Sequence, residues 1–179
     1  MKNLILQSSS GRLALADRFP PFIRLALVGL LLGVFSVRAD LTWNNGSGSG
    51  NWNTVDVNWT GFAWKNSAAS NAVFTTVGGT VNLTQPITAG NVTVGNSSLN
   101  VPNTMFTNGS LNVSSLTVQG YSNNNGTHGN NPTLTLAGST VLVSGNIAVG
   151  RANVVVTGGT VTANRIISSA ASADWADFV

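Results

Sequence analysis

From Gly78 onward one short phrase keeps returning: two small residues, then aliphatics alternating with polar side chains. It reads Gly78-Gly79-Thr80-Val81-Asn82-Leu83 and then Gly109-Ser110-Leu111-Asn112-Val113. It returns as Gly138-Ser139-Thr140-Val141-Leu142-Val143 and as Gly158-Gly159-Thr160-Val161-Thr162-Ala163. The first three are each followed by an aliphatic triplet: Val92-Thr93-Val94, Leu116-Thr117-Val118 and Ile147-Ala148-Val149. Alternation at period two, in Val, Ile, Leu and Thr, marks half-buried strands. Further pairs two apart, Leu99/Val101, Leu134/Leu136 and Val154/Val156, extend the pattern. A repeat this short cannot bury its apolar face alone, so successive units must stack.

The spacing describes the stack. Gly138 to Gly158 and Val141 to Val161 are both 20 residues, which suits one turn of a parallel β-helix. Gly109 to Gly138 takes 29, and the excess falls in Gln119 to Pro132, where an Asn/Gly run through His128 reads as a loop thrown out at one corner. The expected fold is all-β: a right-handed parallel β-helix of about four to five coils. An antiparallel sandwich is the competing fold, but the repeats resemble one another and hairpin dipeptides are scarce between residues 133 and 167.

Residues 40–72 differ from the repeats and hold Trp43, Trp52, Trp59 and Trp64, four of the chain's five tryptophans. Between them runs Asn44-Asn45-Gly46-Ser47-Gly48-Ser49-Gly50-Asn51, a string of turn formers. Stacked strands expose unpaired amides and carbonyls at the ends of the pile, and native proteins cover such edges. The aromatics are therefore expected to cap the N-terminal end. The sharper alternative is that they form a platform on which sugar rings stack.

Charge separates a leader from the rest. In residues 1–39, Lys2, Arg12, Arg18, Arg24 and Arg38 face only Asp17; beyond, Lys65, Arg151 and Arg165 face Asp40, Asp56, Asp174 and Asp177. The sequence pI of about 10.2 thus belongs to the leader, and nucleic acid is not an expected partner. Leu25 to Phe35 is an apolar run of 11 residues, too short to span a bilayer, which needs about 20. Ser36-Val37-Arg38-Ala39 supplies small residues before a cut, so residues 1–39 read as a signal peptide cleaved between Ala39 and Asp40. Membrane contact is expected only through that transient leader. The organisation is then leader 1–39, cap 40–72 and solenoid repeats 73–179.

The Trp43-Asn44, Gly46-to-Trp52, Asn58-Trp59, Trp64 and Ala72-Val73-Phe74 segments, with the later Gly-Gly-Thr-Val phrases, resemble the bacterial autotransporter-associated beta strand repeat proteins. The resemblance covers essentially all of Asp40 to Ile167. It implies an exported β-solenoid passenger, secreted or at the cell surface of a Gram-negative bacterium, often ahead of an outer-membrane barrel or a short sorting signal. This chain stops at Ala173-Asp174-Trp175-Ala176-Asp177-Phe178-Val179, in what reads as the start of another strand, so a fragment is expected.

Catalytic chemistry is not legible. Parallel β-helices also carry polysaccharide lyases and glycoside hydrolases, yet glycoside hydrolysis needs two flanking carboxyl groups and the chain has no glutamate. None of the four later aspartates is expected on a coil strand. Arg151 and Arg165 read as solvated surface residues, and His128, the only histidine, lacks the companions a metal needs. No catalytic residue, cofactor or metal site is expected. The favoured role is structural, adhesive or spacing, with surface glycans or matrix as partners. A carbohydrate-binding module or a piece of a polysaccharide-active β-helix enzyme is the alternative. Nothing specifies an oligomeric state.

Overall fold

A computed structural model describes residues 39–96, 98, 102–121, 131–168 and 177–179. Their regular structure is all strand: β1 (Ala39–Thr42), β2 (Asn51–Trp52), β3 (Ser70–Phe74), β4 (Gly79–Leu83), β5 (Ile87–Gly95), β6 (Thr104–Thr107), β7 (Ser110–Gln119), β8 (Thr133–Ala137), β9 (Thr140–Gly150), β10 (Asn153–Thr157), β11 (Thr160–Ser168) and β12 (Asp177–Phe178). The expected leader up to residue 38, Leu99/Val101, His128 and Trp175 lie outside the described residues.

Strands alternate between two sheets. The odd-numbered strands form one in the order β1-β3-β5-β7-β9-β11, and the even-numbered strands form the other in the order β2-β4-β6-β8-β10-β12. All ten strand pairings are parallel. Each winding therefore lays one strand on each sheet and pairs only with the windings before and after it. This is a parallel β-solenoid, and the sandwich alternative fails on strand direction. The tryptophan-rich segment contributes β1 and β2, so it is itself a tier of the stack.

Register shows where the repeated phrase misleads. Val92, Leu116, Ile147 and Ile166 stand one above another, so the aliphatic triplets are equivalent. The phrases are not all so. Leu111, Val141 and Val161 share a row on the odd sheet, whereas Val81 belongs to the even sheet, opposite Phe106. The counterpart of Leu111 one tier earlier is Ile87, which no glycine pair announces. The winding estimated at 29 residues from its glycines is 30 by register, Leu111 lying under Val141.

The long odd strands bend. In β5 and β7 the buried positions switch phase, from Ile87 and Ala89 to Val92 and Val94, and from Leu111 and Val113 to Leu116 and Val118. One irregularity between Val113 and Leu116 and another between Ala163 and Arg165 mark where β9 carries an extra residue against its neighbours. A bulge of this kind re-aims a strand without ending it. Each long strand thus lines two walls of the core.

Two-residue corners return the chain from the even sheet to the odd one. Asn108-Gly109, Gly138-Ser139 and Gly158-Gly159 occupy equivalent places, because Thr107, Ala137 and Thr157 are stacked partners. The first residue of each corner is left-handed, with φ of 59°, 68° and 69° at Asn108, Gly138 and Gly158. Asparagine is among the few residues with a side chain that accept this conformation readily.

Aliphatic rows fill the interior: Val92, Leu116 and Ile147 are fully buried on one wall, and Phe106, Leu134 and Leu136 on another. The last tier differs. Ile166 and Ile167 of β11 are 51% and 40% exposed, because no further described strand covers them. Close stacking also forbids side chains at some corners. Gly95 has φ +92°, and a Cβ there would lie 1.9 Å from the carbonyl oxygen of Gln119 in the next tier. Gly95→Ala is expected to destabilise the fold by about 2 kcal/mol or more. Urea unfolding followed by tryptophan fluorescence would show it as a lower midpoint.

Candidate functional site

The sequence-predicted site residues are the four tryptophans, and the structure gathers them at the N-terminal end. Trp59 reaches Trp43, Trp52 and Trp64 at centroid distances of 5.2, 5.0 and 4.7 Å, and Phe74 continues the cluster to Phe106 at 5.1 Å. Trp43, Trp52, Trp59 and Trp64 are 1, 0, 0 and 2% exposed. Stacking on a sugar needs an open ring face, and these indoles have none; their faces are spent on one another and on the core. They fill the interior of the first described tier, whose strands are β1 and β2.

This burial carries a cost. Among the described residues, the Nε1–H groups of Trp52, Trp59 and Trp64 have no hydrogen-bond acceptor. Trp52 and Trp64 meet edge to face at 86°, as Trp43 and Trp59 do at 77°. Such contacts set the positive rim of one indole against the negative face of another, and each is worth about 0.5–1.5 kcal/mol beyond area burial.

Asn58 holds the turn-rich run over these rings. It is fully buried, and its side chain makes four hydrogen bonds. Oδ1 accepts from the Ser47 N–H at 2.9 Å and the Ser47 hydroxyl at 2.6 Å, while Nδ2 donates to Ser49 Oγ at 2.8 Å and the Asn51 carbonyl at 2.9 Å. The Asn58 carbonyl accepts the N–H groups of Asn44 and Asn45. A run without apolar periodicity thus gains a fixed shape through one amide. Sequence reasoning quoted Asn58 only as part of a motif; nothing local distinguishes a buried amide from its many exposed neighbours.

Polar side chains form two ladders up the outside. In one, Asn108 Nδ2 donates to Asn82 Oδ1 at 2.8 Å, Asn82 Nδ2 to Asn51 Oδ1 at 3.2 Å, and Asn51 Nδ2 to Asp56 Oδ2 at 3.2 Å. In the other, Ser115 Oγ donates to Asn91 Oδ1, the Asn91 N–H to Asn71 Oδ1, and Asn71 Nδ2 to Asp40 Oδ1. Both end on a carboxylate of the tryptophan-rich tier. The Ser49 hydroxyl first and the Asn51 side chain next hold the Asp56 carboxyl below its ordinary value of 3.8, against desolvation and with a smaller contribution from Asn53.

The remaining candidates are scattered. Asp40 lies on β1 and Asp177 on β12, which corrects the expectation that no aspartate sits on a coil strand. Arg151 takes φ +52° just after β9, and Arg165 is exposed on β11. Ala39 and Asp40, the residues flanking the expected cleavage, pair with Ser70 and Asn71. No group of three or more His, Asp or Glu residues that could hold a metal occurs among the described residues. A shallow recess of about 190 Å³ beside Thr88, Asn112, Leu142 and Ser144 is lined without an ionisable side chain.

The chain is similar to an autotransporter adhesin. That relative is the Adhesin BmaC autotransporter of Brucella suis biovar 1 (strain 1330), 28% identical over 176 residues. The match takes in 90% of this chain and 5% of the adhesin's length. No protein-family profile matches the chain, and no solved structure does. The resemblance to autotransporter-associated passengers, read from the tryptophan and glycine motifs, is borne out by this relative.

Asn58→Ala removes at once the four hydrogen bonds by which a buried amide holds the turn-rich run, so it is expected to cost about 2–4 kcal/mol. Its signature is a lowered denaturation midpoint together with a red-shifted tryptophan emission, as the cap loosens over the indoles.

Proposed function

We propose that this chain is a non-enzymatic segment of an exported, adhesin-like protein, serving as a rigid adhesive or spacing element at the surface of a Gram-negative bacterium. The observation that carries the reading is the coincidence of a parallel stack of the described strands with similarity to an autotransporter adhesin along 90% of the chain. A stack of tiers projects material away from a surface, because each winding adds about 4.8 Å along its axis. Its outer walls carry Asn, Ser and Thr and few charges, a surface that makes many weak hydrogen bonds. Glycan and matrix polymers, rich in hydroxyl and amide groups, suit such a wall by repeated contact. The ordered aspartates support the non-catalytic reading, since Asp40 and Asp56 each accept a ladder hydrogen bond.

Beads coated with the purified chain test this reading. They should adhere to immobilised matrix or glycan surfaces more than albumin-coated beads do. Tryptophan emission should stay unchanged during a glycan titration. Adhesion no better than albumin would remove the adhesive role, and a saturable emission change would move the binding site to the cap.

A further inference from the structure

We propose that the Asn108-Gly109 corner is a self-modification site, at which Asn108 deamidates through a cyclic imide and thereby reverses the demand on the ladder it terminates. The corner position held by glycine at Gly138 and Gly158 is asparagine only here. Both Asn108 and Gly109 are exposed and left-handed. The Gly109 N–H donates to no partner among the described residues, and Asn108 Oδ1 accepts no hydrogen bond among them; the side chain's one polar contact is from Nδ2 to Asn82. With no side chain on Gly109 to shield it, its backbone nitrogen can approach the Asn108 amide carbon.

In the reaction, the Gly109 nitrogen attacks Asn108 Cγ and forms the new C–N bond. The Cγ–Nδ2 bond breaks, and ammonia leaves with the proton that Gly109 gave up. Water then opens either carbonyl of the five-membered imide, giving aspartate or its isomer with the main chain rerouted through Cγ. The balance is one water consumed and one ammonia released, with no oxidation.

The described residues contain a second Asn-Gly pair that serves as a contrast. At Asn45-Gly46 the Gly46 N–H is occupied, donating to Asn44 Oδ1 at 3.0 Å, and Asn45 Oδ1 accepts the Gly50 N–H at 2.9 Å. Both partners of that reaction are restrained.

The product matters because the ladder has a direction. Every amide from Asn108 through Asn82 and Asn51 donates toward Asp56. A carboxylate at position 108 cannot donate. For Asn82 to donate to it instead, Asn82 must turn its oxygen toward Asn51, whose own oxygen faces it because Asn51 donates to Asp56. Acids at both ends of an amide chain leave one junction with two facing oxygens. The ladder is then broken at one rung whichever way it settles.

The test is peptide mapping by mass spectrometry of the full chain, held in mildly alkaline buffer at physiological temperature. The Asn108-Gly109 peptide should gain one mass unit, split into two chromatographic products, and convert at least ten times faster than the Asn45-Gly46 peptide. Asn108→Gly, which places at this corner the residue found in the next two tiers, should fold and abolish the change. Asn108→Asp should melt below Asn108→Gly. An unmodified Asn108, or conversion at Asn45 as fast or faster, would overturn the assignment of the site. Equal melting of the two variants would overturn its effect on the ladder.

Discussion

Everything in this molecule depends on backbone pairing between windings laid in parallel. A strand in one tier finds its partner strands only in the tiers before and after, so no winding can be satisfied alone. That single requirement explains the spacing of the repeats, the inward rows of Val, Leu and Ile, and the rarity of bulky residues at corners. It also explains how a chain without cysteine reaches a packed core from short, weakly similar phrases. The long-range pairing that makes each tier marginal by itself makes the pile cooperative.

The tiers at the two limits of the described residues differ. In the first described tier four indoles pack on one another and on Phe74 of β3, and a buried asparagine moulds an otherwise shapeless Gly/Ser run beside them. At β11 the inward and neighbouring positions are partly open, as Ile166 and Ile167 show. The same asymmetry appears on the outer walls, where both amide ladders direct their donors toward aspartates of the first tier. Polar and apolar ordering therefore share one origin at the N-terminal end. The tryptophans serve this architecture with their faces turned inward.

Much of this was legible in the residues. Period-two alternation identified the strands, repetition identified the stack, and the Val92, Leu116 and Ile147 triplets were aligned as the register has them. The phase of the repeat was less legible. Gly78 to Leu83 copies the wording of the other phrases yet lies on the opposite sheet, because glycine followed by β-branched residues describes any corner of the coil. Ile87 was overlooked because Pro86, where a glycine would be looked for, precedes it. Burial of the tryptophans could be argued from the size of the indole, but the hydrogen bonds of Asn58, Asp40 and Asp56 could not. Hydrogen bonds between residues about 20 to 30 positions apart depend on tier length, and one inserted residue in β9 changes which side chains meet.

The most direct test of the parallel stack uses the natural absence of cysteine. Thr117 and Ala148 face each other across adjacent tiers, as do Thr93 and Thr117, while Thr93 and Ala148 are separated by the tier between. Adjacent strands lie about 4.8 Å apart, within disulfide reach, and a two-tier gap lies beyond it. Double-cysteine variants at the two adjacent pairs should cross-link rapidly under mild oxidation, and the Thr93/Ala148 variant should remain reduced. Cross-linking of the distant pair with failure of the adjacent ones would contradict the parallel stack.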